Sequence, residues 1–385
     1  MFKYIYYFLA LLLYILAIPY LLFKSRLSKY KDAIPAKFFL KNNPPFENEG
    51  IWFHSCSMGE TNALKPIFEK LDNGDINLSV ITNTGFEQGS KMVKNVRYLP
   101  FEIFMPFWVT KQKILFVMEA ELWYMMFLSA KLKGTRTVLI NARINDKSYA
   151  TYKKYSFFYN QIFKNIDKVF AQSETDAKRL KELGGKDIEV IGNIKLATLP
   201  KVTKNFQKPE CMVVTAGSTH DTEEELILKH WSKDKGKLII VPRHPERFDT
   251  VYALIEYYFQ NSELSYHRYS HKEDFESDIV LMDKMGELVN IYAISDLVIL
   301  GGSFIQTAGG HNPIEPAYFG CKLISGKTIF NQKSLFECVE GYYLIEEDEI
   351  EEYLNNIENL RDTSLAQAGS VEPIIKEIEK YGKSV

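Results

Sequence analysis

The chain has 385 residues and a formal net charge of -2; one hydrophobic core does not hold that many residues, so two domains of about 150 to 200 residues are expected. The near-zero charge supplies no basic field for nucleic acid, and 46% hydrophobic with 25% charged residues excludes a disordered chain. Four scattered cysteines, Cys56, Cys211, Cys321 and Cys338, form no C-x-x-C pair, which speaks against a disulfide framework or a zinc site and fits a reducing cytoplasm.

Residues 4–23, YIYYFLALLLYILAIPYLLF, carry no charge. As a helix they extend about 30 Å, the thickness of a bilayer's hydrocarbon core, so a single membrane span is expected. Lys3 precedes the run and Lys24, Arg26, Lys29 and Lys31 follow it, which places the following body on the cytoplasmic side. Positive charge after the apolar run and the lack of a small-residue cleavage site favour an uncleaved anchor over a signal peptide. Pro19 keeps an interfacial or re-entrant helix as the alternative. Residues 1–35 are thus read as membrane anchor and basic connector.

Residues 36–200 alternate apolar strands with amphipathic helices. GIWFHSCSMGETNALKPIFEKL, LSVITNTGFEQGSKMV, ILFVMEAELWYMMFLSAKLKG, TVLINARINDKSY and DKVFAQSETDAKRLKELGG each read as strand, small polar turn and helix. The turns carry Glu60, Glu119 and Glu121. This alternation predicts a parallel α/β sheet, with ligands beyond the carboxyl ends of its strands. The aromatic and basic stretch YLPFEIFMPFWVTKQK, residues 98–113, is read either as a membrane-facing surface or as core.

Residues 198–210, TLPKVTKNFQKPE, have two prolines and no periodicity and read as a linker; residues 201–385 form the second domain. CMVVTAGSTHDTEEELILKHW, KLIIVPRHPERF and SDIVLMDKMGELVNIYAISDLVILGGS repeat the strand, turn and helix design. The next stretch, GGSFIQTAGGHNPIEP at 301–316, places four glycines and two prolines between a buried strand and a helix start. Such a turn aims free N–H groups and a helix dipole at one point and suits phosphate. The other reading is a tight loop whose glycines serve only positive φ.

Taken in order, HSCSMGE, MEAELW, NARINDKS, GNIK, AGSTH, PRHPERF, MGEL and GGHNPIEP, behind one amino-terminal apolar helix, resemble the 3-deoxy-D-manno-octulosonic acid (Kdo) transferases of lipopolysaccharide assembly. The resemblance covers nearly the whole chain. It implies the glycosyltransferase B architecture, an α/β fold of two Rossmann-like domains with an interdomain cleft. The amino-terminal domain would bind the acceptor, a lipid A precursor, and the carboxyl-terminal domain the donor, CMP-Kdo. It implies Glu60 as the base that deprotonates the acceptor hydroxyl, with Glu121 and Lys195 stabilising the transition state. The capping carboxylate is the alternative for Glu60.

In the first domain Asn141, Arg143 and Ser148 are read either as contacts to acceptor phosphates or as a structural loop. In the second, Ser218 and Thr219 either donate to the donor phosphate or cap a helix, and Arg243 and His244 contact the nucleotide. By resemblance Met285, Gly286 and Glu287 lie against the cytosine, and Asn312, Pro313, Ile314 and Glu315 read the ribose. Ser303 and its flanking glycines approach the phosphate. No cofactor is expected, and no His, Cys and carboxylate cluster or D-x-D pair suggests a metal. The resemblance further implies inversion at the anomeric carbon. A sugar-nucleotide epimerase of the same fold and a catalytically silent, membrane-anchored nucleotide-binding adaptor are the rival readings.

Overall fold

The apolar runs form the strands of two parallel sheets in the computed structural model, which describes residues 1–27, 30–197, 200–366 and 368–382. Lys29 of the basic flank lies outside them. The chain divides into two units, Met1–Thr198 with Gln367–Val385, and Leu199–Ala366.

In the first unit, helix α1 (Phe2–Lys24) and helix α2 (Ala33–Phe39) precede a seven-stranded sheet. Its strands are β1 (Ile51–Ser55), β2 (Ile76–Val80), β3 (Asn95–Tyr98), β4 (Ile114–Met118), β5 (Arg136–Ala142), β6 (Lys168–Ala171) and β7 (Ile188–Val190). They pair in parallel in the order β3-β2-β1-β4-β5-β6-β7. Both faces are covered, which is why IWFHS and ILFVM are buried at every position. Alternate residues serve opposite faces: Phe53, Phe116 and Met118 enter one core, whereas Trp52, Leu115 and Val117 enter the other. Most of the 98–113 stretch is core as well, with Leu99, Ile103, Met105, Trp108 and Val109 buried and Phe107 left exposed.

The second unit holds β8 (Val213–Thr219), β9 (Lys237–Pro242), β10 (Tyr266–Arg268), β11 (Ile279–Leu281), β12 (Leu297–Leu300), β13 (Lys322–Gly326), β14 (Val339–Glu340), β15 (Tyr343–Ile345) and β16 (Ser364–Leu365). Seven of them form a parallel sheet in the order β10-β11-β9-β8-β12-β13-β15; β14 and β16 make a separate antiparallel pair.

One expected boundary is corrected. The last helix, Glu372–Tyr381, belongs to the first unit, although the sequence places it with residues 201–385. Its Ile374 and Ile378 are buried in that unit's core. Glu377 accepts from Arg136 Nε at 2.8 Å, and the Arg136 guanidinium stacks over Tyr381 at 4.2 Å. An amphipathic helix shows which of its faces is apolar, but not which sheet it will cover.

Each sheet has a point where the strand order reverses. In the first unit this is between β1 and β4; in the second it is between β8 and β12. Loops leaving neighbouring strands there run to opposite faces and open a crevice at the carboxyl ends. Of the polar residues singled out above, Glu60 follows β1, Glu119 and Glu121 follow β4, Ser218 and Thr219 end β8 and Ser303 follows β12.

Candidate active site

β1 ends in Ser55, and Cys56 and Ser57 turn the chain into helix α3 (Met58–Ala63). Ser57 caps that helix. Glu60 reaches back from its first turn, accepting from Cys56 N at 2.8 Å and from Ser57 Oγ at 3.2 Å. The capping role and a chemical role therefore coexist in one carboxylate. Burial pushes the Glu60 pKa up to about 7, the charges of Glu119 and Glu121 add to the rise, and the Cys56 N–H bond and Lys195 oppose it. A carboxylate of that basicity is suited to taking a proton near neutral pH.

The other acidic groups come from the end of β4. Glu119, in the left-handed region at φ 52°, faces Lys195 Nζ at 2.6 Å, and the Lys195 side chain is only 3% exposed. Lys195 is therefore not the solvated lysine its position near the linker suggests. Its turn is held by Asn193 Oδ1, which accepts from Lys195 N at 3.1 Å. Glu121 accepts from Trp123 Nε1 at 2.6 Å and lies 3.7 Å from Nε2 of the fully buried His54. Burial raises its pKa, but the nearby His54 and the bonds from Trp123 and Cys56 outweigh this and hold the carboxyl below the usual range. Three carboxylates thus surround one position in different states: Glu60 is easily protonated, Glu121 is held ionised, and Glu119 is paired with a lysine.

The reading of Asn141 as an acceptor contact is corrected. It is fully buried, at φ 52° beside the β5 end, and its Oδ1 accepts from Ile194 N at 3.0 Å, so it holds the turn that carries Lys195. Ser148 Oγ donates to Asn145 Oδ1 at 2.8 Å at the start of the helix Asp146–Lys154. Arg143 is half-exposed just beyond β5.

In the second unit the glycine turn is not a free anion cradle. The N–H groups of Gly302, Ser303 and Phe304 donate to the Glu223 carboxylate at 2.7, 3.1 and 3.0 Å, and His220 N joins them at 2.9 Å. Glu223, only 1% exposed, occupies the place expected of a phosphate. Ser303 is committed too: its Oγ donates to Leu300 O at 2.6 Å and accepts from Gly326 N at 2.7 Å. Gly301 is required by close approach, since a Cβ there would lie 2.5 Å from Ser218 O and 2.7 Å from Thr219 Cα. Thr219 is buried with its hydroxyl donating to Glu224 at 2.7 Å, so it is no phosphate donor. Ser218 sits at the β8 end at φ 55°, and the helix expected to start there begins at Glu223. Acidic residues filling a first turn were the visible signal for Glu223, but they read as dipole partners only.

What remains open near this switch point is a cluster of Arg243 with the imidazoles of His220, His244 and His311. Arg243 and His244 are exposed beyond β9. His220 Nε2 lies 2.8 Å from His311 Nε2, and the His244 ring meets that of His220 edge-on at 5.3 Å. Burial lowers the His311 pKa to about 4, helped by His220, Arg243 and His244. Asn312 ties the next segment together, donating to Glu315 at 3.1 Å and accepting from Ile314 N at 3.0 Å. Burial raises the Glu315 pKa against the pull of Asn312 and Arg243. The side chains of Pro313 and Ile314 are buried, so only their backbone is available to a ligand. Met285 is exposed, Gly286 turns at φ 87° with open space around it, and Glu287 accepts from Asn290 at 2.7 Å.

Two doubly wound α/β units, one with a basic carboxylate at its switch point and the other with an arginine and histidine cluster at its own, have the organisation of a Rossmann-type transferase. Residues 23–198 match the sequence family described as 3-deoxy-D-manno-octulosonic-acid transferase (kdotransferase). A 3-deoxy-D-manno-octulosonic acid transferase of Haemophilus influenzae is 31% identical over 342 residues, 80% of this chain and 78% of that one. The chain belongs to the Kdo transferase family. A bifunctional glycosyltransferase/methyltransferase of Fusobacterium nucleatum is also 31% identical over 348 residues, 82% of this chain, but the chain spans only 53% of that relative's length. Among solved structures, the C-terminal CMP-Kdo binding domain of WaaA from Acinetobacter baumannii is 28% identical, covering 45% of this chain and 90% of that one at a TM-score of 0.34.

Proposed function

We propose that the protein is an inverting glycosyltransferase that moves Kdo from CMP-Kdo to a hydroxyl of a lipid A precursor, lipid IVA, at the cytoplasmic face of the inner membrane. The observation that carries this reading is the Glu60 carboxylate, half-buried at a switch point, held by Cys56 N and Ser57 Oγ, and raised to about 7. A neutral alcohol is a poor nucleophile, and Glu60 takes its proton as the oxygen bonds to the anomeric carbon of Kdo. The bond from that carbon to the phosphate oxygen breaks with its electron pair, and CMP leaves as the anion. Attack opposite the leaving group inverts the β-linked donor to an α-linked product. Glu60 then returns its proton to solvent.

Glu121, held ionised beside the fully buried His54, keeps negative charge near an oxocarbenium-like centre. Lys195 is buried against Glu119, where it steadies the charge beside Glu60. In the second unit Arg243 and His244 receive the nucleotide phosphate, and Glu315 with Asn312 receives the ribose hydroxyls, a carboxylate being able to accept both protons. A monophosphate leaving group needs less neutralisation than a diphosphate, so the mechanism is proposed without a metal. The lipid acceptor gives the apolar α1 helix a purpose, since it keeps the enzyme at the bilayer that holds its substrate.

The test is to incubate the full chain, in membranes, with CMP-Kdo and a tetra-acylated lipid A precursor, with and without chelator, and to weigh the products. One or more Kdo mass increments, unchanged by chelator, are expected. Release of free, epimerised sugar without acceptor modification would support the epimerase reading instead. Tight CMP binding with no turnover would support the adaptor.

A further inference from the structure

α1 is long enough and apolar enough to cross a bilayer, yet one side of it is occupied. Phe2, Tyr6, Ala10, Tyr14 and Ala17, all half-buried, and the buried Leu21 recur at intervals of three or four residues and form the stripe that faces the body. Three tyrosine hydroxyls on this side are bonded to the first unit: Tyr6 to the Glu102 carboxylate, Tyr7 to Ile103 O at 2.9 Å, and Tyr14 to Phe38 O at 2.6 Å. Phe2 meets Tyr124 edge-on at 5.2 Å, Tyr14 meets Phe104 at 5.5 Å, and Leu21 is 6% exposed. From residue 2 to residue 21 this attachment extends about 29 Å at 1.5 Å per residue, nearly the full depth of a hydrocarbon core.

A docked helix of that length cannot cross alone. If it stood upright, the surface beneath it would enter the bilayer with it, including the Glu102 carboxylate and Lys133, and charged groups at that depth are strongly disfavoured. The opposite side of α1 has the character of a lipid contact: Phe8, Leu9, Leu13, Ile15 and Leu16 are all exposed. An apolar groove of about 440 Å³ continues this surface from Tyr7 and Leu11 to Phe107 and Leu132, with Lys3 and Lys133 on its lining. Lys24 and Arg26 lie at the other end of the helix. Interfacial helices normally carry a charged face turned to water. Here the first unit covers that side, which explains how the segment can lack charge for twenty residues and still lie flat.

We propose that α1 lies in the plane of the membrane, docked along its length on the first unit, and presents its open face with Phe107 and Leu132 to a bilayer of anionic phospholipid, where Lys3, Lys24, Arg26 and Lys133 meet the phosphates. Both ends of the helix then stay on the same side as the body. The inference rests on the membrane association proposed above and replaces a crossing segment with an embedded one.

The full chain is reconstituted into vesicles containing phosphatidylglycerol, and cysteines are labelled with a membrane-impermeant maleimide before and after detergent. Native Cys211 is exposed and reports the side of the body. Lys3→Cys and Arg26→Cys, each with Cys211→Ser, report the two ends of α1. Equal protected fractions at positions 3, 26 and 211 are expected. A protected fraction at position 3 that is the complement of those at positions 26 and 211, rather than equal to them, would establish a crossing helix and overturn the inference. Failure of the chain to float with the vesicles would overturn the membrane association itself.

Discussion

Glu60→Gln should make the protein more stable while abolishing transfer, and the gain should depend on pH. In the folded chain the Glu60 pKa lies at about 7 against an ordinary 4.5. At about 1.4 kcal/mol per pK unit, the ionised form in the native site costs about 3 kcal/mol relative to the unfolded chain. The sign follows from proton binding. Between pH 4.5 and 7 the folded state holds a proton that the unfolded state has lost, so wild-type stability falls as pH rises through that window and stays lowered above it. Glutamine never ionises and escapes the loss. Its amide oxygen can still accept from Cys56 N, but the weaker bond gives back about 1 kcal/mol. The variant should therefore match or fall slightly below wild type at pH 4.5 and exceed it by about 2 kcal/mol at pH 8, a rise in Tm of about 4 to 8 °C for a unit of this size. Thermal unfolding of both proteins across this pH range, followed by a fluorescence signal from the first unit, measures the difference. A Tm difference that does not change with pH would refute the raised pKa, and near-normal turnover by the variant would refute the base assignment.

The acid limb of kcat/KM in the wild type should fall near pH 7, well above the ordinary carboxylate range; Lys195→Met removes the cation that opposes Glu119 and should move that limb higher, and an unmoved limb would sever Lys195 from Glu60. Glu315→Ala should weaken CMP binding by about tenfold or more, the worth of hydrogen bonds to a charged group, with little change in Tm; equal affinity by calorimetry would remove Glu315 from the nucleotide site. Glu223→Ala leaves four backbone N–H groups without their acceptor and should destabilise the second unit by about 3 to 5 kcal/mol. Urea titration measures it, and a loss below about 1 kcal/mol would mean that another acceptor replaces the carboxylate.

Glu60 and Glu223 show where local pattern is informative and where it is not. Both are first-turn glutamates following a strand, and both cap N–H groups of the turn before them. One remains at the centre of a cluster with raised basicity, whereas the other fills an anion cradle from within. The difference lies in which strand stands next to each. β4 brings two further carboxylates to Glu60, and β12 brings three backbone N–H groups to Glu223. Similarly, Asn141 and Thr219 have side chains suited to phosphate, but Asn141 already serves Ile194, 53 residues on, and Thr219 already serves Glu224 in the following helix.

The amino-acid sequence alone determines the alternation of strand and helix, the two parallel sheets and the apolar amino-terminal helix, because period, turn residues and uncharged length are properties of consecutive residues. It also carries enough ordered motif to indicate the family, and it points to the strand ends as the place for chemistry. Tertiary structure decides what no local window contains: that the last helix returns to the first unit, that Lys195 is buried against Glu119, that His220 and His311 share a contact, and that the glycine turn is occupied by Glu223. It also decides that one side of α1 is covered. These are pairings across tens to hundreds of residues, and their energetics come from burial and from removing water around facing charges, which exist only once the sheets have assembled.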